Sequence, residues 1–139
     1  MMRMKINLTM NDNDFKFKNG KFYAFIYIRT NKLTKQSYVG QTNDMVNRNY
    51  HFRSLKCDYA GKKLMRARRI YGTSHTVWNL QVIKVEAETV ESLQNKLNIK
   101  ECAMMHKYDS VENGYNTYYK KYKLKIKRQT SVTTIALAA

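Results

Sequence analysis

One carboxylate in this chain lies where an apolar side chain is expected. With a rotation of about 100° per residue, the apolar positions late in the chain share one helical face with Glu101 in its middle. The stripe consists of Val90, Leu93, Leu97, Glu101, Met104 and Tyr108. Burial of an unpaired charge is costly, so this carboxylate must be paired, exposed in a cleft or bound to a metal ion. Mg²⁺ often uses only one or two protein carboxylates. The alternative is a salt bridge to one of the many basic residues.

Three further side chains could take part in chemistry. Arg48 lies near the inner face of a predicted helix, where a guanidinium could bind a phosphate through two hydrogen bonds. It could instead extend its stem along the core and its charge into water. Tyr27 and Tyr38 lie on neighbouring predicted strands, eleven residues apart. A phenol in a cleft can orient or deprotonate a nucleophile, although tyrosines in strands are also ordinary packing residues.

Short predicted strands and helices must position these residues. Aromatic and β-branched runs predict strands, and apolar spacing predicts helices. We expect strands over residues 22–28, 37–41 and 76–84. The first predicted helix runs from Thr42 or Asn43 to about Leu55, with Met45, Phe52 and Leu55 on one face. A basic helix is expected over 62–71, stopped by Gly72, followed by a helix that begins near Glu88 and a turn at Asn113 and Gly114. The predicted fold is α/β (α+β), a small, mostly antiparallel three-stranded sheet flanked by helices. We expect it to span residues 21–117, between a polar, irregular extension (1–20) and a basic, flexible tail (118–139).

The charge of the chain indicates a polyanionic partner. The sequence carries 26 Lys and Arg against 10 Asp and Glu, a formal net charge of +16 over 139 residues. Such an excess favours nucleic acid. No apolar run approaches the ~18 residues that would span a membrane, and the basic start is not followed by the apolar core of a signal peptide. Cys57 and Cys102 fit no metal-ligand spacing, and we expect both to be free thiols.

Two basic segments are predicted to contact phosphates. The first is the basic helix, with Lys62, Lys63, Arg66, Arg68 and Arg69. Like charges three and four residues apart on a helix repel each other, and an anionic partner relieves that repulsion. The second is the tail, where tyrosines alternate with Lys120, Lys121, Lys123, Lys125, Lys127 and Arg128. Such a mixture suits phosphate contacts and base stacking. A solubilising run of charge is the alternative.

The combination of these residues resembles the GIY-YIG nuclease superfamily, in particular its phage-type and homing-endonuclease-like catalytic domains. Residues 25–27 (Phe-Ile-Tyr) differ from the first motif only by Phe25, and residues 38–40 (Tyr-Val-Gly) differ from the second only by Val39. Arg48 follows at the spacing typical of the family. Glu101 and then the Gly-Tyr-Asn sequence at residues 114–116 resemble the acidic residue and the ending of phage-type members.

The resemblance implies a metal-dependent DNA endonuclease that acts on double-stranded DNA. Glu101 would hold Mg²⁺ or Mn²⁺, and Arg48 would stabilise charge on the phosphorus oxygens. Tyr27 or Tyr38, with His51, would position and deprotonate water, and Asn116 would support the Glu101 side of the site. One active site cuts one strand, so double-strand cleavage would require a homodimer or two successive events. The style of the sequence indicates a phage or mobile-element nuclease that acts in the host-cell cytoplasm.

One departure from the family concerns the general base. Many members place a His four residues after the Arg, where this chain has Phe52; His51 is one residue short of that position. This departure keeps open a non-catalytic nucleic-acid-binding protein on the same scaffold. A structural polyanion binder is the third alternative.

Overall fold

The computed structural model describes residues 15–56 and 61–117 and shows an α+β fold. The four strands of one antiparallel sheet are β1 (Lys16–Lys18), β2 (Lys21–Asn31), β3 (Ser37–Thr42) and β4 (Trp78–Ala87). The flanking helices are α1 (Met45–Arg53), α2 (Lys62–Tyr71) and α3 (Val90–Lys107). Over the described ranges, no helix is both long and apolar enough to cross a membrane.

Strand β2 is the centre of the sheet. Residues 22–31 of β2 pair with β4 along one edge of β2. Strands β1 and β3 pair with β2 one after the other along its other edge. In this register Tyr27 lies opposite Gly40, and Ile26 lies opposite Gln41. Because successive side chains of a strand point to opposite faces, Tyr27 and Gly40 belong to one face of the sheet. Ile26 and Gln41 belong to the other face, and this division determines where the site residues lie.

Helix α3 covers the Ile26 face of the sheet. Its Leu93 and Leu97 are buried against Ala24, Ile26 and Ile28 of β2. Each fully buried aliphatic side chain of this kind contributes about 1.5–3 kcal/mol of transfer free energy. The helix begins where the Thr89 side chain accepts a hydrogen bond from the backbone N–H of Ser92, an N-cap that satisfies one of the unpaired donors of the first turn.

Helices α1 and α2 pack on the opposite face, around a second cluster of buried residues. Its members are Phe52 of α1, Leu64 and Ala67 of α2, Trp78 of β4, and Tyr115. Phe52 and Trp78 meet edge to face, with ring centroids 5.2 Å apart. Because both faces of β2 are covered, residues 26–29 are all buried rather than alternately buried and exposed.

The structure confirms most of the predicted elements and corrects others. The basic helix ends at Gly72, which has a φ of +80° that favours glycine. Strand β1 was not expected, because a three-residue strand, Lys16–Lys18, has no apolar pattern of its own. Within the described residues the sheet therefore has four strands rather than the expected three. The N-cap of α1 is Asp44, whose side chain accepts from the N–H of Asn47. Leu55 lies beyond the end of α1 and is 45% exposed.

Arg68 was predicted to contact DNA, and this prediction is wrong. Its side chain is 1% exposed. Its guanidinium donates to the backbone carbonyls of His51, Phe52 and Ser54 at 3.0, 3.0 and 2.6 Å. The last carbonyls of a helix have no intrahelical partners and carry partial negative charge. Arg68 of α2 therefore satisfies the C-terminal end of α1 and joins the two helices.

Replacement of Arg68 tests this structural role. We expect Arg68→Met to lower the free energy of unfolding by about 2 kcal/mol or more, because charge-assisted hydrogen bonds are lost and buried carbonyls lose their donor. The matched control is Arg69→Met, since Arg69 is exposed on the same helix. Urea denaturation measures both. Equal stability of the two variants would contradict the role given to Arg68.

Candidate active site

The two tyrosine motifs fit together through a glycine. A Cβ atom on Gly40 would lie 2.6 Å from both Cζ and the hydroxyl oxygen of Tyr27. The phenol end of Tyr27 therefore lies directly over the backbone of β3, in space that only glycine leaves open. Tyr38 projects from the same face, and the two rings are 6.1 Å apart. Tyr27 is buried, whereas Tyr38 is partly exposed.

Glu101 is buried on the other face of the sheet, in contact with amide groups. Its side chain is 6% exposed, and Oε1 accepts a hydrogen bond from Nε2 of Gln41 at 2.6 Å. Nε2 of Gln41 also lies 3.1 Å from Oδ1 of Asn98, and Gln94 donates to both Gln41 and Asn98. These amides hold the carboxylate in one orientation at the edge of the core.

Sequence reasoning missed these three amides, although part of the signal was present. Gln94 and Asn98 precede Glu101 by seven and three residues, so helical spacing places them beside it. Gln41 could not be found in this way, because only the pairing of β3 with β2 and its packing under α3 bring it to Glu101.

Arg48 lies on α1 and lines a cleft of about 250 Å³ together with residues of β3 and α3. Gln41, Thr42 and Gln94 line the same cleft. Because Gln41 donates to Glu101, the cleft places the guanidinium-bearing side chain close to the amides that hold the carboxylate. Arg48 and Glu101 are thus linked through Gln41, which lines the cleft with Arg48 and donates to Glu101.

The tyrosines approach this place from the opposite side of the strand. Tyr27 and Tyr38 belong to the Gly40 face, whereas Gln41 and Glu101 belong to the α3 face. Among the described residues, β2 is the only strand that pairs with β3, and the backbone groups of Ser37 and Val39 also bond to residues 115 and 116. The predicted catalytic residues Tyr27, Tyr38 and Glu101 therefore lie on both faces of the sheet rather than on a single face.

The Gly-Tyr-Asn segment holds β3 in place. The Asn116 side chain accepts from the N–H of Val39 at 2.8 Å and donates to its carbonyl at 2.9 Å. The N–H of Tyr115 donates to the carbonyl of Ser37. A Cβ on Gly114 would lie 2.5 Å from that same carbonyl oxygen. The Asn116 amide pairs with the backbone of Val39, and its predicted support of the Glu101 side of the site stays a prediction.

Two residues of α1 bear on the general base. Phe52, at the position where many family members carry His, is 3% exposed and packs against Trp78. The His51 ring is partly exposed and lies 5.8 Å from the ring of Tyr50. Its role as a base stays a prediction.

The remaining basic residues of α2 divide into two groups. Lys62, Arg66 and Arg69 are exposed. Lys63 is also exposed, but its Nζ donates to the carbonyls of Val111 and Asn116 at 2.8 and 2.9 Å. The predicted contacts of the tail, from Lys120 to Arg128, lie outside the described residues, as does Cys57. Cys102 is a buried thiol.

The chemistry of Glu101 fits a hard divalent cation. A carboxylate oxygen is the ligand type that Mg²⁺ prefers, whereas Gln41 turns its NH2 group to Glu101, and the oxygens of Gln41 and Asn98 accept hydrogen bonds from Gln94. No group of three or more His, Cys, Asp or Glu side chains converges anywhere in the described part of the chain. An ion here would therefore rest on one carboxylate, completed by water and phosphate, as Mg²⁺ sites often are.

The fold is similar to that of a nuclease domain. Two solved structures of the catalytic domain of I-TevI are similar to this chain. The first is a mutant of the catalytic domain of the intron endonuclease I-TevI, which has 25% sequence identity to this chain and a TM-score of 0.51. The match covers 69% of this chain and 94% of the I-TevI domain. The second is the catalytic domain of the homing endonuclease I-TevI, with 23% sequence identity and a TM-score of 0.52. This match covers 68% of this chain and 98% of the I-TevI domain. The resemblance seen in the sequence is confirmed at the level of the fold.

Comparisons of sequence alone find no further similarity. No protein-family model matches the chain. No curated protein matches it either.

The contact between Tyr27 and Gly40 predicts a coupled pair of substitutions. We expect Gly40→Ala to cost about 1–3 kcal/mol of stability, because the added methyl group overpacks a filled space. The same change in a Tyr27→Ala background should cost much less, since the ring is absent. Thermal and urea unfolding of the four proteins gives the coupling free energy. Equal costs in the two backgrounds would show that the ring does not lie over Gly40.

The Asn116 amide predicts a second stability effect. We expect Asn116→Asp to lose about 1–3 kcal/mol, because the donor to the Val39 carbonyl is lost and a buried acceptor is left unsatisfied. Asn95→Asp on the exposed face of α3 is the matched control. The melting temperature of each variant reports the difference, and an Asn116→Asp protein as stable as this control would count against the pairing.

Proposed function

We propose that this protein is a DNA endonuclease that hydrolyses phosphodiester bonds with the help of Mg²⁺ or Mn²⁺. The observation that carries the proposal is the buried Glu101 carboxylate, held by Gln41 beside the cleft that Arg48 lines. The similarity in fold to the catalytic domain of a homing endonuclease supports the same reading.

The chain's own residues supply most of what phosphodiester hydrolysis requires. Arg48 binds the phosphate in the cleft and stabilises the negative charge that grows on its oxygens, an effect that is strong where water is partly excluded. Glu101, held by Gln41, provides a fixed carboxylate oxygen. A divalent ion bound there would act as a Lewis acid towards the phosphate and its leaving oxygen.

Tyr38 is the phenol that can reach the attacking water. It is partly exposed, whereas Tyr27 is 1% exposed and lies over Gly40. Tyr27 therefore fixes the position of Tyr38 and of the β3 backbone. A phosphodiester bound beside β3 meets Tyr38 from one face of the sheet and the cleft that Arg48 lines from the other.

Long-range electrostatics favour DNA as the substrate. Lys62, Arg66 and Arg69 present exposed charge on α2, and the whole chain carries +16. Phosphate contacts of this kind release counterions and make binding strongly dependent on salt. We place the protein among phage or mobile-element nucleases, cutting double-stranded DNA in the host cytoplasm, with a second copy required for simultaneous cleavage of both strands.

A non-catalytic DNA-binding protein on this scaffold is the second candidate. It is favoured by the burial of Phe52 in the aromatic cluster, where many family members carry a histidine. The two candidates differ in DNA cleavage, which can be measured directly. Only the endonuclease cleaves DNA, and its cleavage stops when a chelator removes the metal ion.

The deciding experiment compares Glu101→Gln with wild type on supercoiled plasmid in Mg²⁺ or Mn²⁺, with and without a chelator. Gln keeps the acceptor for Gln41 but removes the charge, so we expect the fold to survive and cleavage to fall about 100-fold or more. Glu91→Gln, exposed on the same helix, is the matched control and should cut at the wild-type rate.

Each outcome separates the candidates. Metal-dependent nicking by wild type and Glu91→Gln alone supports the endonuclease. Cleavage by Glu101→Gln at the wild-type rate would remove Glu101 from the active site. DNA binding that survives chelation, with no product from any of the proteins on plasmid or genomic DNA, would favour the non-catalytic candidate.

A further inference from the structure

A second cavity lies on the face of the sheet opposite Glu101. It measures about 350 Å³ and is enclosed by α1, β2, β4 and the segment between α2 and β4. Its lining includes none of the residues assigned to catalysis, and it shares none with the cleft that Arg48 lines. The volume is at the lower end of the range of small-molecule sites, about 300–1,000 Å³.

The base of this cavity is a buried arginine fixed in place by its neighbours. Arg29 is 4% exposed. Its Nη2 donates to Oδ1 of Asn49 at 2.7 Å, and its Cζ lies 4.1 Å from the centroid of the Phe52 ring. A guanidinium stacked on an aromatic ring and held by an amide has little rotamer freedom left to lose when a ligand binds.

The rest of the lining is basic, polar and aromatic. Arg53 and His75 are exposed where the cavity opens, and Ser74 lies beside His75. No Asp or Glu lines the cavity. Trp78 forms part of the wall, with its Nε1 donating to the carbonyl of Gly72. Two guanidinium groups, an imidazole and a hydroxyl around one space are donors that match the oxygens of a phosphate.

We propose that this cavity binds the phosphate group of a nucleotide, at a site separate from the cleft that Arg48 lines. The charge of the lining selects the phosphate, because the guanidinium groups of Arg29 and Arg53 both border the cavity and no carboxylate does. The volume and the aromatic wall of Phe52 and Trp78 leave room for the sugar and base beyond the phosphate. The nucleotide is either free in solution or the phosphorylated end of a DNA strand, and the chemistry of recognition is the same for both.

The chain contains one tryptophan, Trp78, and it lines the cavity. Its fluorescence therefore reports on occupancy directly. The protein is titrated with thymidine 5′-monophosphate in a chelating buffer, so that no cleavage interferes. We expect a saturable change in fluorescence, and thymidine, which lacks the phosphate, should bind at least tenfold more weakly.

Variants at the cavity mouth test the assignment without disturbing the core. Arg53→Gln combined with His75→Gln should weaken the binding of thymidine monophosphate at least tenfold, with an unchanged melting temperature. Lys96→Ala, a charge removed from the exposed surface of α3, is the matched control and should bind as wild type does. Glu101→Gln should also bind as wild type, which separates this site from the proposed active site.

Two oligonucleotides of the same sequence, with and without a 5′-phosphate, distinguish the two sources of the nucleotide. Tenfold tighter binding of the phosphorylated strand identifies a strand end; equal binding of the two, with the mononucleotide bound, identifies a free nucleotide. The proposal is overturned if thymidine monophosphate gives no saturable signal, if thymidine binds equally well, or if the Arg53 and His75 double variant binds as tightly as the Lys96 control.

Discussion

The contact of the Tyr27 ring with the backbone of Gly40 fixes the register of the hairpin on which the site depends. A slip of one residue would turn every side chain of β3 to the opposite face. In the observed register Val39 enters the α3 core, Tyr38 joins the second cluster, and Gln41 reaches Glu101. Any residue other than glycine at position 40 would collide with the Tyr27 phenol. The contact between Tyr27 and Gly40 therefore fixes the positions of β3 side chains on both faces of the sheet.

The register is reinforced from a distant part of the chain. Asn116 pairs with both backbone groups of Val39, and Tyr115 bonds to Ser37 through its backbone and to Asn31 through its hydroxyl. Edge strands present unpaired backbone groups and are easily displaced. Here residues 115 and 116, which follow α3 in the sequence, bond to β3. The segment after α3 therefore links the hairpin to the helix that carries Glu101.

The sequence predicted those features that depend on local periodicity. The stripe that buries Glu101 and the helix Lys62–Tyr71 have patterns that can be read without knowledge of the fold. Features that arise from tertiary contacts could not be read in this way. Arg68 has the same sequence neighbourhood as Arg69, yet one is buried under the end of α1 and the other is exposed. The roles of Gln41 and Asn116 likewise depend on strand pairing across many residues.

The bonds of Arg68 to the end of α1 have a mechanical consequence. Helix α1 carries Arg48, and α2 carries the exposed charges of Lys62, Arg66 and Arg69. One buried guanidinium binds three carbonyls at the C-terminal end of α1, so side-chain bonds join the two helices directly. A displacement of α2 would therefore be transmitted to α1 and to the Arg48 side chain that α1 carries.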